Sequence, residues 1–412
     1  MIKLVGYNAL SYALSAGVFL LFTVVFSRQF GTEAYAEFSI LLNSLSAILL
    51  ISNYQGYLVS YSVAESRDAI RRYARYAVPY TLLAALAAAT IFWFVTELTP
   101  VLWPFMALAF GLLFGITLPS TVLLASAENW RLVAYRAVYQ VLIVVLFYGL
   151  YLATGRLEMA FVAAGVGAAS VFLLLVLRRA FADLGSGPSD HPDAPGSIIL
   201  VAAGANGAVM LTQLIDKFAV NHLGVGPGQA CVGVYFIYYD VVFRVGTIYL
   251  MFVYPLTYTF LRHLREGIPL GRTFATMIGG IAAITSATVA AGYLVVPPVY
   301  GISLDCAPLL PLLMSLFMAF TGVGYLVVAF CNAAGFSRIL AKQNLAVLLA
   351  MAAGIAAGEF LAPDGLSVTW LAAALAVGKA GTAVTLTIIL LRLFRTRGRL
   401  AATAAGSVAS EA

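Results

Sequence analysis

The chain has 412 residues, of which 62% are hydrophobic and only 10% charged, with a mean hydropathy of +0.98 and a formal net charge of +6. An ordinary soluble domain is roughly a quarter charged, so the composition excludes a soluble globular protein and places the chain in a bilayer. Uncharged runs of about 20 residues recur along it and match the roughly 30 Å hydrocarbon core that a helix must cross, so length here counts spans rather than soluble domains.

Twelve spanning helices are predicted. The first six cover Val5 to Ser27, Phe38 to Tyr61, Ala77 to Leu98, Val101 to Ser126, Leu132 to Ala153 and Met159 to Leu177. The second six cover Ser197 to His222, Ala230 to Pro255, Phe274 to Pro297, Ala307 to Gly335, Ile339 to Leu361 and Ser367 to Leu391. No early cleavage motif follows the first span, which reads as a retained helix rather than a signal peptide. The fold class is thus an all-α polytopic membrane protein. The longest polar, Pro/Gly-rich interruption, "RRAFADLGSGPSDHPDAPGS", falls between spans six and seven. It separates a six-helix lobe over 1–177 from a second over 197–394, with an inter-lobe loop at 178–196 and a tail at 395–412. The halves echo each other weakly around the ends of spans one and seven, a repeat plan common in secondary transporters, whose sites lie between the repeats near mid-depth.

Loop charges give an independent reading. With the amino terminus inside, seventeen Lys and Arg residues lie on the cytoplasmic side, among them Arg71, Arg72, Arg178, Arg179 and Arg392, against only Arg28 and Arg156 on the other. That bias puts both termini in the cytoplasm. It also accounts for most of the net charge, so no nucleic-acid partner is needed.

Soluble-enzyme chemistry has little support. The histidines, His191, His222 and His263, lie in or beside loops, and the cysteines, Cys231, Cys306 and Cys331, have no metal-ligand spacing. No metal, cofactor or disulfide framework is expected. The cluster "GVGPG", Gly224 to Gly228, reads as a turn because no phosphate-binding strand and helix unit follows it.

Six ionisable residues fall inside spans: Arg136, Asp216, Lys217, Asp240, Arg244 and Lys379, four basic and two acidic. Each costs about 2.5 to 3.5 kcal/mol at a helix centre, so each should face the bundle interior or a watery cavity. Arg136 lies near a helix end and is expected to snorkel to the headgroups. Asp240 and Arg244 stand one turn apart and can pair; a structural ion pair and a functional one are equally open. Asn206, Gln213, Lys217 and Asn221 form one stripe of span seven, with Asp216 about 100° to the side, where it can tune Lys217 or meet a neighbouring helix. Asn8, Ser11, Tyr12 and Ser15 mark a milder stripe on span one. Lys379 is mid-span between Gly378 and Gly381 and is expected to line a cavity. Tyr235, Tyr238 and Tyr249 read as packing or interfacial residues.

Two segments carry a resemblance. "FSRQFGTEAYAEFSILLNSLSAI", after span one, and "LIDKFAVNHLGVGPGQACVGVYFIYYDVV", across spans seven and eight, resemble the polysaccharide flippase (Wzx-type) branch of the multidrug/oligosaccharidyl-lipid/polysaccharide exporter superfamily. Asp216 and Lys217 match that family's Asp-basic pair, while Ala36 stands where its glycine usually follows the tyrosine. The resemblance implies a V-shaped central cavity between two pseudo-symmetric lobes in a bacterial cytoplasmic membrane. It also implies export of a polyprenyl-pyrophosphate-linked oligosaccharide to the outer leaflet, with contact to glycan polymerase machinery as a further expectation.

A pyrophosphate head with about two negative charges needs fixed cations to leave water. Lys217, Arg244 and Lys379 are the expected substrate-binding cations, with Asn206, Gln213 and Asn221 as polar lining. Asp216 and Asp240 are the expected ion-coupling residues, serving Na+ or H+. With the interior negative, moving two anionic charges outward gains about 4.6 kcal/mol per 100 mV. A cation-coupled drug or metabolite antiporter of the same superfamily is the rival, but it should keep carboxylates as its main cavity charges. A membrane-embedded glycan polymerase or acyltransferase should carry a catalytic histidine or a large external loop, and the interior charges speak against a passive scaffold.

Overall fold

The computed structural model describes residues 2–52, 67–125, 129–180, 196–223, 231–245, 271–334, 337–361, 366–385 and 387–388. Every regular element among them is helical. In the first lobe these are α1 (Ile2–Ile48), α2 (Arg67–Thr96), α3 (Trp103–Ala125), α4 (Asn129–Thr154) and α5 (Leu157–Ala180). The second lobe holds α6 (Gly196–Phe218), α7 (231–245), α8 (Gly271–Leu294), the short α9 (Val296–Tyr300), α10 (Leu310–Ala334), α11 (Ser337–Leu361) and α12 (368–385). Five stretches are long and apolar enough to cross a membrane on that count alone: Ala134–Thr154, Leu157–Arg178, Ala275–Leu294, Lys342–Leu361 and Val368–Thr385.

α1 holds the first predicted span and the start of the second. Where a loop is expected between them, the helix breaks at a single residue, Gly31, whose φ of +89° and ψ of 167° interrupt helical geometry. A Cβ would be strained there, so glycine makes a sharp reversal without intervening loop residues. α2 begins at Arg67 rather than near Ala77, because a hydropathy window finds the bilayer-length part of a helix and not its charged extension.

Lipid tails are as apolar as leucine, so helices in a bilayer are held by close packing and hydrogen bonds. The lobes meet that demand differently. In the first, aromatic rings interlock around Phe38, whose centroid lies 4.4 Å from that of Phe147 and 5.1 Å from that of Phe22. In the second, α11 and α12 touch along small residues: a Cβ on Gly354 would sit 2.9 Å from that of Ala374, and Gly358 and Gly378 press against Trp370 and Met351. Trp370 Nε1 also donates to the Gly354 carbonyl at 2.7 Å.

One end of the lobe seam is closed by side chains of both lobes. Arg28 donates from Nε to the Val299 carbonyl at 2.9 Å and from Nη2 to that of Pro298 at 2.8 Å. Thr23 and the Tyr300 hydroxyl share a 2.7 Å hydrogen bond, and Asn221 Nδ2 donates to the Val95 carbonyl at 2.6 Å. Gly233 lies against the Thr32 backbone with no room for a Cβ. At the same end Cys231 and Cys306 form a disulfide, with Cα atoms 6.0 Å apart. This corrects the expectation of no disulfide: the α8–α10 connection brings together residues separated by 75 positions, which spacing could not reveal.

Candidate functional site

Four of the six in-span ionisable residues, Asp216, Lys217, Asp240 and Arg244, lie along α6 and α7 in three distinct environments. The first is a closed pair. Lys217 Nζ lies 2.9 Å from each carboxylate oxygen of Asp216, the Tyr235 hydroxyl donates to Asp216 Oδ2 at 2.7 Å, and the ammonium sits 4.0 Å from the Tyr239 ring centroid. Lys217 is 0% and Asp216 1% exposed. Adjacent helical residues diverge by about 100°, yet the flexible four-carbon lysine stem bends back far enough to neutralise its neighbour. Lys217 is thus turned onto Asp216 rather than into a cavity as expected, whereas Asp216 does meet a neighbouring helix, through Tyr235. In a medium where each lone charge is costly, mutual neutralisation wins.

The remaining stripe residues also part company. Asn221 clasps the first lobe through Val95, and Gln213 is half-buried on α6. The side chain of Asn206 lies outside the described residues, as do those of Asn8, Ser11, Tyr12 and Ser15, and the "GVGPG" turn and Tyr249.

The second environment is Asp240 on α7, which is 1% exposed. Its Oδ2 accepts from the Tyr35 hydroxyl at 2.5 Å and the Ser39 hydroxyl at 2.6 Å, and its Oδ1 accepts from Asn43 Nδ2 at 3.0 Å. Asn43 Nδ2 also reaches Ser39 Oγ at 2.8 Å. All three donors stand four residues apart on the second limb of α1, so one helical stripe of the first lobe reads one carboxylate of the second. The expected Asp240–Arg244 ion pair does not form. The carboxylate already has three charge-assisted hydrogen bonds, which neutral donors provide without a buried cation.

Arg244, one turn along α7, is the third environment. Its guanidinium stacks on Phe19 of α1, 4.0 Å from the ring centroid, and its buried Nε has no hydrogen-bond partner. Among the described residues no carboxylate lies within ion-pair distance of it. It lines a cavity of about 190 Å³ between the lobes whose other polar wall is Ser46, Tyr139 and Gln140. A larger cavity of about 340 Å³ lies between α7 and α8, but Val241, Val245, Ile284 and Ala287 make it almost wholly apolar. The smaller one carries the charge and hence the chemistry.

Lys379 is half-buried on α12, between Gly378, which packs on Met351 of α11, and Thr382, whose hydroxyl donates at 2.8 Å to the Phe320 carbonyl of α10. No carboxylate pairs with it among the described residues. Arg136 is exposed on α4. The tyrosines divide: Tyr238 packs and donates to the Gly292 carbonyl at 2.7 Å, whereas Tyr235 and Tyr239 frame the Asp216–Lys217 pair. Sequence reasoning missed Tyr35, Ser39 and Asn43. Their period-four spacing, running from just before the second predicted span into it, is the signal that could have found them.

No family model and no curated protein matches the chain. Solved structures do. The inward-facing conformation of a multidrug resistance MATE family transporter of the MOP superfamily aligns with a TM-score of 0.62 at 15% identity, covering 95% of this chain and 96% of that one. An outward-facing conformation from the same family aligns at 0.55, with 13% identity and 96% of each chain covered. A MOP superfamily transporter from Pyrococcus furiosus, titled for the reverse polarity of its binding pocket, aligns at 0.57, with 14% identity and 95% of each chain covered. The chain shares the two-lobed, all-α fold of these transporters.

Proposed function

We propose that the chain is an alternating-access transporter that exports a lipid-linked oligosaccharide through its pyrophosphate head, from the cytoplasmic to the outer leaflet of a bacterial cytoplasmic membrane. The observation that carries this reading is Arg244: a guanidinium at the lobe seam, without a carboxylate among the described residues, lining a cavity of about 190 Å³. A fixed cation in a low-dielectric site selects an anionic group. The volume lies below the roughly 300 Å³ at which drug-sized ligand sites begin, so it suits a headgroup rather than a whole substrate. Lys379 is the second cation in this reading. Lys217, neutralised by Asp216, shapes the site without contacting substrate, and Asp240 is held at its edge by its three first-lobe donors.

The closed end of the seam then faces away from the cytoplasm. The Cys231–Cys306 disulfide supports that orientation, since disulfides persist in oxidising compartments. Both termini fall on the opposite side, and the membrane potential drives the anion outward. A cation-binding drug antiporter would need an open carboxylate in its cavity, whereas Asp240 is 1% exposed with both oxygens engaged.

The test is export of lipid-linked sugar in cells lacking the protein, complemented with Arg244→Gln and Lys379→Ala. Both variants are expected to accumulate the lipid-linked intermediate on the cytoplasmic side. Normal export by both rejects the cationic-cavity reading.

A further inference from the structure

We propose that Asp240 is a built-in competitor of the transported anion: it takes Arg244 whenever the first-lobe stripe Tyr35, Ser39 and Asn43 lets it go, and so times anion release. This rests on the reading of Arg244 as the anion site. Asp240 and Arg244 stand four residues apart on α7, a spacing at which opposite charges on a helix face one another and pair. They do not pair here, because the carboxylate receives three hydrogen bonds from α1 at 2.5, 2.6 and 3.0 Å. The guanidinium is therefore left stacked on Phe19 with its Nε unpartnered and the cavity before it.

The three donors belong to one lobe, while the carboxylate and the guanidinium belong to the other. Any movement that parts the closed end of the seam draws the stripe away from Asp240. A buried carboxylate that loses its donors is strongly disfavoured and turns to the nearest cation, and Arg244 is one turn away on its own helix. Pairing withdraws the guanidinium from the bound anion once the path has opened on the side of Arg28 and Tyr300. Closing the seam returns the stripe to Asp240 and frees Arg244 for another anion. The site thus binds tightly in the present arrangement and weakly in the opposite one.

The experiment is calorimetric titration of the purified full chain in lipid nanodiscs with inorganic pyrophosphate. Arg244→Gln is expected to weaken binding at least tenfold. Tyr35→Phe combined with Asn43→Leu, neither of which faces the anion, is expected to weaken it about tenfold, within the range that coupling between sites produces. Adding Asp240→Asn to that pair is expected to restore the wild-type affinity, a rescue that mere structural damage would not give. If the paired variant binds as the wild type, or if Asp240→Asn fails to rescue it, the competitor role is wrong while the Arg244 site stands. If Arg244→Gln binds as the wild type, the site itself is wrong. Should the paired variant not fold, Asn43→Ala replaces it, with about threefold weakening expected and the same rescue required; unchanged affinity there overturns the proposal.

Discussion

Asp216 and Asp240 are equally buried, at 1% exposure each, and lie on consecutive helices of one lobe, yet they are satisfied in opposite ways. Asp216 takes a lysine from its own helix and a tyrosine from the next, so every partner moves with it. Asp240 takes three neutral donors from the other lobe, so its partners depart when the lobes part. The same chemical group is satisfied within its own lobe in one place and across the seam in the other. Placement of the partners across the seam makes the difference.

The sharpest way to break this comparison is Lys217→Ala. It leaves a carboxylate in the lobe interior with only Tyr235 to hold it, a defect worth about 3 to 5 kcal/mol when one member of a buried pair is removed. A large drop in thermal midpoint of the detergent-purified protein is expected. The combined Lys217→Met and Asp216→Leu change should recover most of it, because apolar residues of similar volume can replace a buried ion pair. If the single variant is as stable as the wild type, the pair is not a structural one.

Asp240→Asn should behave differently. The amide keeps one acceptor for the α1 donors and removes a buried charge, so the expected loss of stability is below about 2 kcal/mol. If Asp240 competes with the anion for Arg244 as proposed, transport should suffer far more than stability. Export assays paired with pyrophosphate titration check this: export should fall while binding stays at or above the wild-type level. Loss of both together would place Asp240 with Asp216 as a structural residue.

Among the described residues each sequence-based span coincides, in order, with a helix or a limb of one, because uninterrupted apolar runs report the bilayer thickness directly. Arg28 stood out as one of two basic residues on the sparse side, and it proves to be a clasp between lobes. The pairing of charges was not legible in the same way. A helical projection gives directions but not rotamers, so it put Lys217 on a polar stripe and missed that its stem folds back to Asp216. Nor could it show that Asp240 is already engaged, since its donors lie 197 to 205 residues away in the chain. Long-range hydrogen bonds, unlike hydropathy, leave no local average to read.

Two tyrosines test the comparison at the level of single hydroxyls. Tyr235→Phe removes a donor from Asp216, and Tyr35→Phe removes one from Asp240; each should cost about 1.5 to 3 kcal/mol as the loss of a hydrogen bond to a charged group. The first should lower stability in every state and leave the transport rate per folded molecule unchanged. The second should lower the stability of the closed arrangement alone and change the rate. Equal effects on transport would erase the distinction between the two carboxylates.

The smallest expected effect belongs to Arg28→Gln. Arg28 is exposed and its two hydrogen bonds reach backbone carbonyls of the α9 segment, so stability should change by less than about 1 kcal/mol. Even so, a bias of that size shifts a two-state equilibrium several-fold, and the contact exists only while this end of the seam is shut. A cysteine placed on the cavity wall by Ile143→Cys reports the shift. Its labelling by a membrane-impermeant maleimide, added from the side of Arg28, should be several times faster in the Arg28→Gln background. The same substitution should weaken pyrophosphate binding in proportion, because opening that end releases Asp240 towards Arg244. Faster labelling with unchanged binding would separate the closure from the carboxylate and leave Asp240 a bystander to the movement.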